Sequence, residues 1–452
     1  MKRQLDSLVN LFLVSAVLGS GCGYSHMYLF HICLVLLIGT SVILYLCGVQ
    51  QLFIKPKILS SYFFLVMICW YTLGLMWSIE PSYTLQYLVY IILGVAIVYV
   101  IVGRVVSEES YQSIYDALKW VFLAEVVIAI LEVFTPFRLP TSPFSEYASL
   151  FDRKATDFEL FEADTVAYFK NMPTAFHGNP NNLAVVMATI LPFFLFYPRL
   201  LVKILGTSLV LMIIIMAGSR GAFIGAVFGI VLYWALTDFR RILVLAVFGI
   251  LASFLLVASI DKLKRSDNMR VVEFAYTADV LMDYASNDSK KDDNSVSIRQ
   301  GLIKNGLDAL YASGGLGVGG GGNQAVQESK GGNGAEGEIS AMHNFWIEIL
   351  VESGVGFFLC FVAWYLTMCF KLFFIYITTT SDFFKYQAGA LLVSFAIFSV
   401  ACISASSVIY HLPMWIMFGM ALALINLWYN PYPMAWFVEN ESLPHKNTME
   451  IT

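Results

Sequence analysis

The chain has 452 residues, of which 58% are hydrophobic and only 13% are charged, and its formal net charge is −5 at pH 7. A soluble domain usually carries about 25% charged residues, so this composition excludes an ordinary soluble protein. The acidic balance offers no basic surface for nucleic acid, which is not expected as a partner. Continuous apolar runs exclude a membrane β-barrel, whose strands alternate in polarity.

Twelve apolar segments predict an all-α polytopic membrane protein with about 12 transmembrane helices, since about 20 residues span a bilayer. The first segment also resembles a signal peptide, but it leads within a few residues into the second and no A-x-A site follows. Most of the seven cysteines lie inside these segments, and the polar loops carry none, so no disulfide framework is expected there. The predicted spans are 7–21, 27–48, 58–77, 83–102, 112–135, 180–197, 200–217, 222–236, 242–260, 345–370, 384–405 and 411–428.

Lysine and arginine are concentrated in alternate short loops, and this asymmetry predicts the orientation. With a cytoplasmic N-terminus, the opposite short loops 22–26, 78–82 and 406–410 contain no Lys or Arg. Both termini are then cytoplasmic, and both long loops face outward from a single helix bundle. The predicted division is helices 1–5 in 1–135, a first extracytoplasmic loop in 136–179, helices 6–9 in 180–260, a large extracytoplasmic loop in 261–344, helices 10–12 in 345–428 and a cytoplasmic tail in 429–452.

The large loop is the longest polar stretch of the second half of the chain. Residues 269–286 and 296–312 predict amphipathic helices that could lie on the membrane face. The glycine-rich segment 314–337 is expected to be flexible by composition. Within it, GLGVGGGG imitates a phosphate-binding loop but lacks the GK[ST] ending, which favours a hinge.

Two arginines are candidate anion ligands. Arg220 lies between Ser219 and Gly221 in AGSRGAFIG. The predicted helix that follows has about 15 residues, or about 22 Å, which is short for a hydrocarbon core of about 30 Å. A guanidinium recessed there would need an anionic partner, although a snorkelling interfacial arginine is the alternative. Arg299 borders the apolar stripe of the second amphipathic helix, where an ordinary surface charge is equally compatible.

His343 lies at the outer entrance of the tenth span, as a candidate base or as a plain interfacial histidine. Glu348 and Glu352 follow on one face of that span, and acids inside a membrane are functional candidates. Glu125 and Glu132 also share a helix face, either as packing partners or as a proton path. Asn181 and Asn182 can cap the sixth span. The external loops lack HExxH, CxxC and Asp-x-Asp, which argues against a metal site.

Four motifs occur in order, namely FHGNPNNLA, AGSRGAFIG, SIRQGLIKNGLDALYASGGLGVGGG and MHNFWIEILVESGVGFF. Together they resemble the O-antigen ligase and O-antigen polymerase superfamily of the Wzy/WaaL type, over about residues 175–370. The resemblance implies a metal-independent GT-C-like glycosyltransferase of the bacterial cytoplasmic (inner) membrane, with no cofactor. It implies a glycan donor linked to undecaprenyl diphosphate, Arg220 and Arg299 on the diphosphate, and His343 activating the acceptor.

Three functions remain open from the sequence. A polymerase would join repeat units of O-antigen, capsule or exopolysaccharide, whereas a ligase would move glycan onto lipid A-core of lipopolysaccharide, or onto protein. The loop 261–344 has nine basic and twelve acidic residues, which favours the polymerase because a phosphorylated core would suit a basic face. A flippase or other transporter usually shows two related halves, and none is evident. A chain-length regulator and a flippase are candidate partners.

Overall fold

The computed structural model describes residues 2–48, 58–160, 166, 169, 171–243, 259–260, 262–266, 294–330, 342–405, 407 and 409–429. This part of the chain is mostly helical, with one short hairpin of β1 (Gly23–Tyr24) and β2 (Met27–Tyr28), so the all-α class is confirmed. The helices are α1 (Lys2–Leu18), α2 (Leu29–Leu46), α3 (Phe63–Gly74), α4 (Pro81–Arg104), α5 (Glu108–Phe134), α6 (Pro180–Leu195), α7 (Leu200–Met216), α8 (Arg220–Thr237), α9 (Asn294–Ala312), α10 (Gly322–Ser329), α11 (Phe345–Thr378), α12 (Asp382–Ala401) and α13 (Leu412–Tyr429).

Apolar side chains cover the outside of the bundle as well as its interior. On α2, for example, Ile32, Val35 and Leu36 are each more than half exposed. Such a surface is costly in water, at roughly 25 cal/mol per Å², and favourable in lipid. Six of the described helices are long and apolar enough to cross a membrane, namely α2, α4, α8, α11, α12 and α13. The protein is therefore an integral membrane protein.

A helix lies at eleven of the twelve predicted spans. The ninth predicted span, 242–260, lies almost entirely outside the described residues. Four further apolar helices of 10–17 residues accompany the six long ones, so a count of about twelve transmembrane helices stays a prediction. The local signals were sufficient to place most ends. The cap of the sixth span is a correction, because Asn179 is the N-cap and the predicted caps Asn181 and Asn182 lie inside the helix. Asn344 is the N-cap of α11 and accepts a backbone N–H bond.

Helix α8 is longer than predicted. It has 18 residues from Arg220 to Thr237, or about 27 Å at 1.5 Å per residue. Gly218, with a φ of +69°, lies in the tight turn between α7 and α8, and Ser219 is the extended N-cap. The predicted length of about 15 residues was therefore too short, and Arg220 owes its position to this turn.

Helices α12 and α13 form the centre of the bundle. Helix α12 packs against α6, α8 and α11, and α13 packs against α4. Gly225 lets α8 pack closely against α12, because a Cβ on this residue would lie 3.0 Å from the Ile397 carbonyl of α12. This packing fixes residues 402–405, 407 and 409–411, hereafter the 402–411 turn, which lie between α12 and α13 at one end of the bundle.

The glycine-rich loop 314–322 is packed, which corrects the prediction of a flexible hinge for this part. The N–H of Val318 donates to the Val351 carbonyl of α11 at 3.0 Å. Gly354 has a φ of +79° and interrupts α11, which opens a place for the loop beside the kink. A Cβ on Gly317 would lie 2.5 Å from the Gly354 nitrogen, so glycine serves here for close backbone contact. Residues 331–337 lie outside the described residues.

Helix α9 confirms the second predicted amphipathic helix. Its Leu302 and Leu310 are buried in a small core with Val318 and Met342, while Arg299 is only half-buried. The apolar stripe therefore contacts the protein itself along much of its length. The other predicted amphipathic helix, 269–286, lies outside the described residues.

Candidate functional site

Arg220 begins α8 directly after the turn at Gly218. The Ser219 hydroxyl donates to the Ser404 hydroxyl at 3.0 Å, and both serines are buried. A Cβ on Gly221 would lie 3.1 Å from the Ser404 Cβ. The start of α8 is therefore held against the 402–411 turn, and Arg220 is half-buried beside it.

His343 lies immediately before α11 in the left-handed backbone region, with a φ of +50°. A residue other than glycine in this region costs on the order of 1–3 kcal/mol and is often found at functional sites. The carbonyls of Ala405 and Ser404 interact with the imidazole. Burial, and then the positive charge of Arg299, lower the pKa of His343 to about 4. The ring is consequently neutral at pH 7 and able to accept a proton.

The 402–411 turn brings the three predicted site residues together. Its Ser404 contacts both the start of α8, where Arg220 lies, and the ring of His343. Arg299 reaches the same place from α9, because its charge acts on His343. The start of α8 at Arg220 and the His343 ring thus both lie beside this turn, and the Arg299 charge acts on the ring, although the three residues span 123 positions of the chain. Such a site can bind an oxyanion and accept a proton.

Glu348 and Glu352 lie behind this site on the first turns of α11, and both are buried. A Glu348 carboxylate oxygen accepts bonds from the Ser407 hydroxyl at 2.5 Å and from the Tyr87 hydroxyl at 3.1 Å. Glu352 accepts from the Gly321 N–H of the glycine-rich loop. From the sequence, Glu348 lies near the outer end of its span and is expected to be solvated. That expectation is wrong, because the carboxylate is buried and bonded to protein groups. Its spacing from Glu352 was visible in the sequence, but the partners from α4 and the 402–411 turn were not.

Glu125 and Glu132 each anchor the end of the first long loop to α5. One Glu132 oxygen accepts the N–H groups of Thr174 and Ala175, both at 2.7 Å. Glu125 lies 2.7 Å from the imidazole Nε2 of His177. The two acids thus bind separate partners in the loop, which favours the packing role of the two that the sequence left open.

Arg138 also faces this loop end, with its guanidinium 3.7 Å from Glu132. It donates to the Met172 carbonyl at 2.8 Å. Burial lowers the pKa of Arg138, and the Glu132 carboxylate opposes that effect. The sequence analysis did not single out Arg138 or His177, because nothing local links them to acids on α5.

The segment GLGVGGGG, which resembles a phosphate-binding loop in sequence, lacks phosphate-binding geometry. Its Val318 and Gly319 amides donate to carbonyls of α11 at 3.0 and 3.1 Å, and are not directed at a shared anion. Across the described ranges, no three His, Cys, Asp or Glu side chains converge as metal ligands would. The described site presents arginine, histidine and serine side chains.

Comparison with known proteins gives one family. Residues 205–362 match the model of a family described as O-antigen ligase. The matched segment contains all three predicted site residues and the glycine-rich loop. It includes neither the first six predicted spans nor the 402–411 turn. No curated protein matches the chain.

Proposed function

Because the chain belongs, through residues 205–362, to the O-antigen ligase and polymerase superfamily, we propose that it is a polysaccharide polymerase. It joins repeat units carried on undecaprenyl diphosphate, on the outer side of the bacterial cytoplasmic membrane. Both termini are cytoplasmic, and residues 261–344 form the large outer loop. The observation that carries this proposal is the gathering of Arg220, Arg299 and neutral His343 at the 402–411 turn.

In this mechanism the arginines bind the diphosphate of the donor. The acceptor hydroxyl oxygen attacks the anomeric carbon, and the bond from that carbon to the diphosphate oxygen breaks. The leaving diphosphate keeps the electron pair, and two guanidinium groups stabilise its charge without losing their own. Bidentate N–H bonds also orient the donor for the attack. No metal ion takes part in the proposed step.

His343 accepts the proton of the acceptor hydroxyl as the new glycosidic bond forms. A base with a pKa of about 4 is fully available at neutral pH. When the anionic diphosphate binds between the arginines, it offsets the Arg299 charge and makes the imidazole a stronger base. General base catalysis of this kind contributes about 10²–10⁴ in rate.

A ligase is the second candidate, and the description of the matching family favours it. It would use the same donor and the same three side chains but transfer finished glycan to lipid A-core or to protein. The acidic balance of 261–344, nine basic against twelve acidic residues, favours the polymerase. A transporter is the weakest alternative, since it needs no activated hydroxyl.

The test is a gel profile of surface glycan from a strain that lacks the protein. A single repeat unit on lipid A-core, with the ladder of longer products gone, would support the polymerase. Bare core with long glycan accumulating on the lipid carrier would establish the ligase instead. An unchanged profile of every surface glycan would refute both.

A further inference from the structure

A second polar cavity, of about 470 Å³, lies on the other side of the 402–411 turn. It is bounded by the end of α1, the starts of α2, α6 and α13, and the middle of α4. Four of the chain's six histidines line it, namely His26, His31, His177 and His411. Ligand cavities usually measure about 300–1,000 Å³, so this one can hold one or two sugar rings.

Two of these histidines are buried at its wall. The rings of His177 and His411 lie 5.2 Å apart, and the Glu125 carboxylate lies 2.7 Å from His177. His411 is 6% exposed, and its Nε2 has no hydrogen-bond partner among the described protein atoms. An unsatisfied buried nitrogen is costly, by about 1–3 kcal/mol, unless a ligand or water completes it.

Aromatic rings supply the rest of the lining. Tyr90 and Tyr410 pack edge to face at 5.8 Å between centroids. On the opposite side, the Arg153 guanidinium lies 5.3 Å from the centre of the Tyr28 ring. Asn182, from the FHGNPNN motif, adds an amide.

We propose that this cavity binds the sugar rings of the acceptor glycan. Imidazole, amide and phenol groups both donate to and accept from sugar hydroxyls, and aromatic faces pack against the apolar faces of a sugar ring. A diphosphate is a poorer fit, because Arg153 is the one arginine or lysine among the described residues of the lining and the buried Glu125 carboxylate lies behind His177. The inference rests on the proposed function, since it identifies the second substrate of that reaction.

The 402–411 turn connects this cavity with the transfer site. Ser404 and Ala405 contact His343, while Tyr410 and His411 line the cavity. Between them, Ser407 donates to Glu348. The acceptor's terminal hydroxyl can therefore reach His343 while the preceding rings occupy the cavity.

The test is saturation-transfer NMR on purified full-length protein in detergent. The probe is the lipid-free oligosaccharide released by mild acid from the host's own surface glycan. His411→Leu and Asn182→Ala should each weaken binding about three- to tenfold, as expected for the loss of one hydrogen bond. Asn10→Ala, on α1 but outside the cavity lining, is the matched control and should bind as the wild type does.

His343→Ala separates this inference from the proposed function. It should abolish glycan transfer and keep wild-type binding of the oligosaccharide. If Asn182→Ala and His411→Leu both bind as tightly as wild type, or if wild type does not bind, the cavity assignment is wrong. Competition by undecaprenyl diphosphate at the cavity would also overturn it. Normal surface glycan in His343→Ala would instead refute the proposed function.

Discussion

At the residue scale, the candidate site combines two charged guanidinium groups with an imidazole that stays neutral. Arg220 and Arg299 supply guanidinium groups, whose planar N–H fork matches the oxygens of a phosphate. His343 is held neutral by burial and by the nearby Arg299 charge. Its strained backbone, with a φ of +50°, fixes the imidazole beside the 402–411 turn. A cationic site with a neutral base suits an anionic leaving group and a hydroxyl nucleophile.

Single substitutions should separate these roles. Arg220→Ala, Arg299→Ala and His343→Ala should each abolish surface glycan while leaving the protein level in the membrane unchanged. Loss of the base alone should lower the rate of glycan transfer by about 10²–10⁴-fold. Arg220→Lys should remain impaired, because lysine keeps the charge but lacks the two-pronged N–H geometry. Gel analysis of the glycan, with immunoblotting of membranes, checks both quantities. Wild-type glycan in all three alanine variants would contradict the site assignment.

The pH dependence of transfer should report the depressed pKa of His343. Because the neutral ring is the base, kcat/KM should be constant near neutral pH and decline as the pH falls through about 4. A solvated histidine would give the same decline near its ordinary value of about 6.5. Initial rates measured with detergent-solubilised protein across pH 3.5–8 distinguish the two. A midpoint above 6 would show that the burial and the Arg299 charge do not act on this ring.

The same pKa can be followed without turnover by NMR titration of histidine-labelled protein, with His343→Ala used to assign the signal. Arg299→Gln removes the repulsive charge, so the pKa of His343 should rise towards its ordinary value. An unchanged pKa would leave burial as the whole cause. The remaining histidines report whether the variant keeps its fold.

At the element scale, the kink of α11 and the glycine-rich loop form one unit. Gly354 opens the helix, the loop 314–322 enters beside it, and Val318 pairs with Val351. The unit positions α10. The Tyr83 hydroxyl of α4 donates to the Glu328 carboxylate of α10 at 2.6 Å. The Gly321 N–H of the loop also donates to the Glu352 carboxylate. Composition predicted flexibility, whereas backbone bonding to α11 gives a defined conformation.

Gly354→Ala should therefore destabilise the protein strongly. The new Cβ would collide with the Leu316 carbonyl, and the φ of +79° is itself unfavourable for alanine. We expect a loss on the order of 1–3 kcal/mol or more. Gly356→Ala is the matched control, since nothing lies within 4 Å of its Cβ and alanine favours a helix. Thermal unfolding in detergent compares the two; equal midpoints would contradict a packed loop at the kink.

At the scale of the whole molecule, the bundle places the candidate site and the histidine-lined cavity at one end. The start of α8, the start of α11, the 402–411 turn and the cavity lined by His177 and His411 all lie there, as helix alternation requires. The rest of the bundle presents apolar side chains to the bilayer. A lipid-linked donor can then keep its polyprenyl chain in lipid while its sugars remain in water.

Reporter fusions test the proposed orientation. Alkaline phosphatase joined after Lys330 should be active, because residues 261–344 are proposed to face outward, where the enzyme folds. Green fluorescent protein at the C-terminus should fluoresce, because that end is proposed to be cytoplasmic. A fusion after Arg199, in the predicted cytoplasmic loop between the sixth and seventh spans, is the phosphatase control and should be inactive. The reverse pattern would place the three site residues on the cytoplasmic side.

The sequence by itself determined the features that depend on local chemistry. Apolar runs of bilayer length identified eleven of the described helices, because the length of an apolar run is a local property of the sequence. The motifs around Arg220, Arg299 and His343 indicated the superfamily and the candidate residues. Charge asymmetry yielded an orientation that remains a prediction.

Only the tertiary structure decided what depends on contacts between distant segments. Glu125 meets His177, Glu348 meets Ser407, and the glycine-rich loop meets α11. None of these pairings has a signal in spacing or periodicity, since each partner lies on a different element. The cavity likewise exists because the first long loop and the 402–411 turn pack at the same end. Hydrophobic pattern selects elements, whereas burial of polar groups, each of which needs a partner, selects how those elements meet.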